Sequence, residues 1–433
     1  MLLCWVLPLS KLKRGEKSHL PRRGSHSDTF GKKRVKKDRL NEQNSFAEEG
    51  KYSMSLEQVY QLYGQLMIWM PHLGHWQLLD IGLYCIGIIQ ARHCAPSRVA
   101  EVLIGFGKAD SVQRRLERYL DNRRIDWQMC CKGWSGLILS RMKGQRIVLL
   151  VDETKLKDRL SVMVVGLAYH QCCIPLAFWC YAPKQWPMKQ VELVMTLLSW
   201  VAEGVPVGTT PVVQVDRGIG TSPALMRRVT AMKWHFLFRV RGDSKMSIKG
   251  RQWRRLDSMV KLGESWAGEA VVFKKRGLIK AYVHVIWDAG CKEPWCLVTN
   301  APHLVGRLYA QRAWQEASFR DLKSDGWQWQ CSRVWTPDHA NRLVLVMSIA
   351  YAWALTLGDW ALSVPDQRIY VTKGRKHQTY SLFRLGLRYW QYLLVHAHTL
   401  YFYFLSQPII HWNNRDLLSP SLSPPFFGKS VGA

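Results

Sequence analysis

The sequence predicts an α/β protein: a mixed β-sheet with a β-rich insertion, preceded by an α-helical domain. Three observations carry this. From Leu56 to about Lys143 the apolar residues recur at helical spacing without alternation, punctuated by Pro71, Gly74 and Pro96. The run Arg146–Val151 (RIVLLV) then changes the character to short, buried strands alternating with helices. Between 241 and 300, alternating runs separated by turn residues replace the helical pattern.

Taken in order, residues 11–53 combine KLKR, RR and KKRVKK with no periodic apolar face, and 1–53 is read as a disordered basic arm. Met54 followed by Ser55-Leu56-Glu57-Gln58 has a capping-box pattern and is the expected start of the fold. The helical domain, 54–143, contains Ser97–Ile104, the turn Gly105-Phe106-Gly107-Lys108 and Ser111–Leu120. These suit a DNA-binding helix-turn-helix with Val112, Leu116 and Tyr119 inward and Arg114, Arg115 and Arg118 outward. A merely solvated basic face is the competing account of the same three arginines.

The strand at Arg146–Val151 is followed by an expected hairpin, Ser161–His170 with Cys173–Tyr181, and by an amphipathic helix, Lys189–Glu203. A strand at Pro211–Val215, a helix from about Ser222 and a strand at Trp234–Val240 complete the first part, 144–240. Three sequential antiparallel strands and then alternating helix and strand are the plan of the ribonuclease H-like fold. The insertion, 241–302, has strands expected at Ala270–Phe273, Ile279–Trp287 and Trp295–Val298. Helix returns near Leu304 in the second part, 303–365, followed by a helical region, 366–412, and a disordered tail, 413–433, containing SPSLSPP.

Composition limits the function. The 433 residues are 48% hydrophobic and 21% charged, an ordinary globular balance. Lys and Arg number 61 against 32 Asp and Glu, and residues 1–53 hold only 13 and 6 of these, so the folded body is basic too. Such a field attracts polyanions, above all nucleic acid. The 21 tryptophans suit base stacking as well as core packing. The 11 cysteines form no C-x-x-C pair, which fits a reducing cytosol. MLLCWVLPLS precedes the basic stretch and lacks a small-residue cleavage site, against a secretory signal. The apolar stretches Leu343–Gly358 and Tyr389–Ile410 are expected to be buried helices, the first being short of the ~20 residues a membrane span needs.

Two acids follow apolar strands, Asp152 after RIVLLV and Asp216 after PVVQV, where a sheet can present a carboxylate at an open edge; a turn or cap role is the alternative for each. In LYAQRAWQEASFRDLKSDGW, at 100° per residue from Arg312, Glu316 falls at about 40°, Lys323 at about 20° and Tyr309 at about 60°. One helix face thus offers a carboxylate with cations and a phenol. An exposed Arg312–Glu316 pair would by itself add only ~0.3 kcal/mol. Glu153, Asp158, Asp243 and Asp321 compete for acidic roles; Glu153 points to the other side of the strand, and Asp321 lies about 140° round the helix from Glu316. Trp314, Trp327 and Trp329 are taken as packing residues rather than base-stacking ones.

The spacing Y-x2-R-x3-E-x6-K resembles the signature of DDE transposases of bacterial insertion-sequence family four, and D-x-T at Asp152–Thr154 and V-D-R-G at Val215–Gly218 resemble that family's other acidic motifs. The resemblance covers about 146–330. It implies a ribonuclease H-like catalytic domain performing cut-and-paste transposition, with Asp152, Asp216 and Glu316 as catalytic metal ligands for two Mg²⁺ ~4 Å apart, or Mn²⁺ in their place. Tyr309, Arg312 and Lys323 would grip DNA phosphate. It further implies double-stranded transposon ends and target DNA as partners, a homodimer in the active complex, no membrane, and a cytoplasmic, nucleoid-associated location. A metal-dependent nuclease without strand transfer and an inactive DNA-binding remnant are the alternatives.

Overall fold

A computed structural model describes residues 59–274, 277–363, 380–395 and 404–405. The basic arm, the Met54 start and the 413–433 tail lie outside them, as does much of 366–412.

The helical part comprises α1 (59–69), α2 (His75–Ala91), α3 (Pro96–Val102), α4 (Ala109–Asp121) and α5 (Trp127–Ser140). A 3₁₀ turn at Ile104–Phe106 joins α3 to α4, and Val112, Leu116 and Tyr119 are buried on the inner face of α4 as expected. Asp126 caps α5 by accepting from Gln128 N and Met129 N.

The sheet has ten strands: β1 (Val148–Leu156), β2 (Leu160–Tyr169), β3 (Cys172–Tyr181), β4 (Val212–Val215), β5 (His235–Arg239), β6 (Lys245–Ser247), β7 (Arg254–Arg255), β8 (Ser265–Val272), β9 (Ile279–Ile286) and β10 (Trp295–Thr299). Their order is β3-β2-β1-β4-β5-β10-β9-β8-β6-β7. Strands β3, β2 and β1 are antiparallel, whereas β1, β4 and β5 are parallel. That is the ribonuclease H-like plan. The insertion extends the same sheet, because β10 pairs antiparallel with β5. Helices α6 (Gln190–Ala202), α7 (Arg217–Gly220) and α8 (Pro223–Ala231) lie around β4, and α9 (Arg312–Arg320), α10 (Pro337–Ser363) and α11 (Leu382–Val395) follow the sheet.

The β2–β3 turn is His170-Gln171, both with positive φ (42° and 64°), as a two-residue hairpin matched to strand twist requires. Edge strand β3 tolerates Pro175, opposite an irregularity at Val165/Gly166. Its free backbone groups are taken up by side chains: Trp134 Nε1 donates to Pro175 O, while Cys173 N and Cys180 N donate to Ser318 Oγ and Asn341 Oδ1. These bonds engage part of the edge that another strand would need.

One large core joins the early helices to the sheet and to α10, whose residues Leu343–Leu355 are almost wholly buried. The long apolar helix is thus an interior one, 89% of its most apolar window being buried. Gly386 lets α11 close on α10, since a Cβ there would sit 1.7 Å from Ala354 O. A smaller core on the other side of the sheet gathers Val148, Leu150, Val212, Leu237, Leu304, Leu308 and Tyr309.

Candidate active site

The smaller core determines where the acids stand. Along β1, Val148 and Leu150 face it, so the alternation of strand side chains puts Asp152 on the same side and Glu153 on the other. Along β4, Val212 faces it, and the same parity carries Gln214 and Asp216 there. Val151 is in register with Val215. Asp152 and Asp216 are therefore the next residues on adjacent parallel strands, side by side and facing the 304–320 segment.

The expectation that Asp152 ends its strand needs correction. β1 continues to Leu156 because β2 goes on pairing with it as far as Leu156↔Leu160. The open edge arises on the opposite flank, where β4 stops at Val215 and leaves β1 to run on alone. Asp216 does follow its strand, and it also caps α7: Oδ1 accepts from Gly218 N at 3.0 Å and Ile219 N at 3.1 Å. The alternative cap role and a site role coincide in this residue.

The Tyr309–Lys323 segment departs from one uniform helix. It runs as a 3₁₀ turn (Gly306–Gln311), then α9, then a π turn (Asp321–Asp325). The π turn is anchored by Asp321, which is buried and accepts from Tyr351 Oη at 3.0 Å, and by Trp327 N donating to Asp321 O. Gly326 completes the anchor, as a Cβ there would overlap the Phe383 ring.

Arg312 stands at the centre. Its Nη2 lies 2.7 Å from Asp152 Oδ2 and its Nη1 3.0 Å from Glu316 Oε1. Arg312 and Asp152 are both largely buried, with side-chain exposures of 10% and 15%, whereas Glu316 is exposed at 67%. Burial pushes the Asp152 carboxyl up to about 6; Arg312 opposes the shift, while Asp216 and Glu316 add to it. Burial pulls on Arg312 in the opposite sense, but Asp152, Tyr309 and the other acids outweigh it and hold the guanidinium above its ordinary value. Lys323 is lowered by burial, with Asp152 acting against that, which places its ammonium within the field of the carboxylate.

Tyr309 is buried, and its hydroxyl donates to Val215 O, the carbonyl next to Asp216, at 3.2 Å. Burial raises its phenol far above the ordinary value. Two residues that sequence reasoning passed over do similar work. Gln315 Nε2 reaches both Leu150 O and Val164 O at 3.3 Å, tying α9 to β1 and β2. Gln214 Nε2 donates to Leu308 O at 3.0 Å. Their only sequence signal is a glutamine on the inward side of an otherwise apolar strand or helix.

On α4, Arg114 and Arg118 are exposed, but Arg115 is turned to Asp80 at 2.6 Å. Trp327 and Trp329 are core residues.

The donors at the site are all carboxylate oxygens, the set a hard dication prefers, and the adjacent Asp152 and Asp216 raise each other's need for a cation. Glu316 is held by Arg312, and among the described residues no three acidic, His or Cys side chains converge closely enough to hold one ion. The donor chemistry fits a dication on the two aspartates.

Residues 189–353 match the family model of the transposase DDE domain. That span includes Asp216, Tyr309, Arg312, Glu316 and Lys323 and begins after Asp152. No curated protein matches the chain.

Proposed function

We propose that the chain is a transposase of the insertion-sequence family-four type, which binds the terminal inverted repeats of its element, cuts both ends and joins them to target DNA. The observation that carries this is the meeting of three separate segments at one point: Asp152 and Asp216 on neighbouring strands beneath the Arg312–Glu316 pair. The transposase DDE match over 189–353 supports it independently.

In this proposal Asp152, Asp216 and Glu316 hold Mg²⁺, for which Mn²⁺ can substitute. The bound dications supply Lewis-acid activation of the attacking oxygen and charge neutralisation at the leaving one in an in-line phosphoryl displacement. The protein's own groups do the remaining work. Arg312 exchanges a carboxylate for a DNA phosphate, using the planar fork that suits both anions. Lys323 adds a point charge beside Asp152. Tyr309 and Gln214 keep β4 and the 306–311 turn in fixed relation, so that Asp216 is presented without a search. Arg114 and Arg118 on α4 contact duplex backbone, and Arg115 holds α4 to α2 through Asp80. A homodimer brings the two ends together in the cytoplasm at the nucleoid.

The test is incubation of purified protein with the DNA flanking its reading frame, with Mg²⁺ or chelator, for the wild type and Glu316→Gln. Metal- and Glu316-dependent cuts at defined ends, followed by joining to a second DNA, are expected. Cutting without joining would mean a nuclease, and binding without cutting an inactive remnant.

A further inference from the structure

Beside Asp216 a single carboxylate sits between two arginines. Arg217 Nη1 donates to both oxygens of Glu293, at 2.6 and 2.8 Å, and Arg239 Nη2 donates to Oε1 at 2.8 Å. The arginines belong to the fixed part of the fold. Arg217 opens α7, Arg239 ends β5, and a Cβ on Gly220 would meet Arg239 O at 2.3 Å, so these two backbone segments are in direct contact. Arg241 N donating to Thr221 Oγ1 at 3.0 Å adds a second tie. Glu293 comes instead from the turn between β9 and β10, within the insertion.

The Arg217–Glu293 pair adds little stability, its members being about half exposed at 53% and 49%, whereas Arg239 is the more enclosed at 21%. The two cations outnumber their one anion, leaving net positive charge next to the acidic site. A tetrahedral anion with several oxygens satisfies two guanidiniums better than one carboxylate does.

We propose that Arg217 and Arg239 form a binding site for a backbone phosphodiester of DNA beside Asp216, and that Glu293 occupies this site in cis until DNA displaces it. The inference rests on the transposase reading and adds to it a second phosphate contact and a gate carried by the insertion. Displacing Glu293 exchanges one ion-pair set for another and breaks no covalent bond. It also frees the β9–β10 turn from α7, so DNA binding is coupled to release of the insertion's contact with the site.

The experiment is fluorescence-anisotropy titration of a labelled duplex in chelator, where no cleavage occurs, at several salt concentrations. Glu293→Gln should bind roughly fivefold tighter than wild type with an unchanged log–log salt slope, since the same phosphate contact forms in both complexes and only the competing carboxylate is gone. Adding Arg217→Gln and Arg239→Gln to it should abolish the gain and make the slope shallower by about one. Glu203→Gln, which removes an exposed acid on the α6 side, should change neither. Thermal unfolding of each variant verifies that it is folded, and Arg217→Gln or Arg239→Gln added singly serves if the combined variant is not. A Glu293→Gln affinity equal to that of Glu203→Gln, or a gain that survives loss of both arginines, overturns the phosphate site alone. A wild-type chain that binds no duplex at any salt concentration overturns this site and the transposase reading together.

Discussion

Arg312 is bonded at 2.7 Å to Asp152, a residue 160 positions earlier in the chain, and both side chains are largely withdrawn from water. A buried charge left alone is far more costly than an exposed one. Arg312→Gln should therefore destabilise the protein by ~3 kcal/mol or more in urea unfolding, the range for breaking a buried pair. Arg312→Lys should recover part of this, because charge returns without the second hydrogen bond. A loss below ~1 kcal/mol, the exposed-pair range, would show that water reaches the pair freely.

Asp152 also sets a pH dependence. Its folded value is raised to about 6, against ~3.9 in an unfolded chain, so the native state holds this proton more tightly. The associated stability is present at low pH and is lost as pH rises through the interval from ~4 to about 6. Asp321, also raised to about 6 by burial, acts in the same direction. In chelator, unfolding free energy should fall across that interval, and Asp152→Asn should flatten the fall. An unchanged slope in that variant would remove Asp152 from the account.

Divalent metal should reverse the cost at neutral pH. With Asp152 and Asp216 adjacent, Mg²⁺ at a hundredfold its dissociation constant should stabilise the fold by ~2.7 kcal/mol. Asp152→Asn and Asp216→Asn should each abolish most of this in a melting experiment. Binding should weaken below pH about 6, where Asp152 takes up its proton. Glu316→Gln, at an exposed position, should leave metal-free stability almost unaltered while removing cleavage.

Asp216 has two duties that substitutions can separate. Asparagine caps helices as well as aspartate does, whereas alanine costs ~1 kcal/mol. Asp216→Asn should keep metal-free stability close to wild type and lose cleavage, and Asp216→Ala should lose both. Equal stability of the two variants would show that the bonds to Gly218 N and Ile219 N contribute nothing.

How much of this was legible in the sequence follows from the range of the forces involved. Strands β1 to β5 announce themselves as short apolar runs, and α4 shows its inward face in Val112, Leu116 and Tyr119, because both patterns are local. The continuation of β1 through Asp-Glu-Thr-Lys was hidden, since polar residues held in a ladder by a neighbouring strand look like a turn when read alone. The π turn at Asp321–Asp325 was hidden for a similar reason: it depends on Tyr351, on another helix. The tie between Arg115 and Asp80 distinguishes one of three arginines that periodicity alone made equivalent. Asp152, Asp216 and Glu316 were selected by motif spacing, but the placement of Arg312 between two of them needed the fold.

Tyr309 allows a last separation, between holding the site and holding DNA. Its hydroxyl is buried and engaged with Val215 O, the carbonyl immediately before Asp216. Removing one neutral donor from a buried bond costs ~1 kcal/mol. Tyr309→Phe should show this loss in urea unfolding and a drop in cleavage rate, through a less firmly placed Asp216. If the phenol only positions β4, duplex affinity in chelator stays at its wild-type value. A weaker affinity in that folded variant would instead mean that the hydroxyl leaves Val215 for a DNA phosphate in the complex, and that the bond seen here is its resting partner.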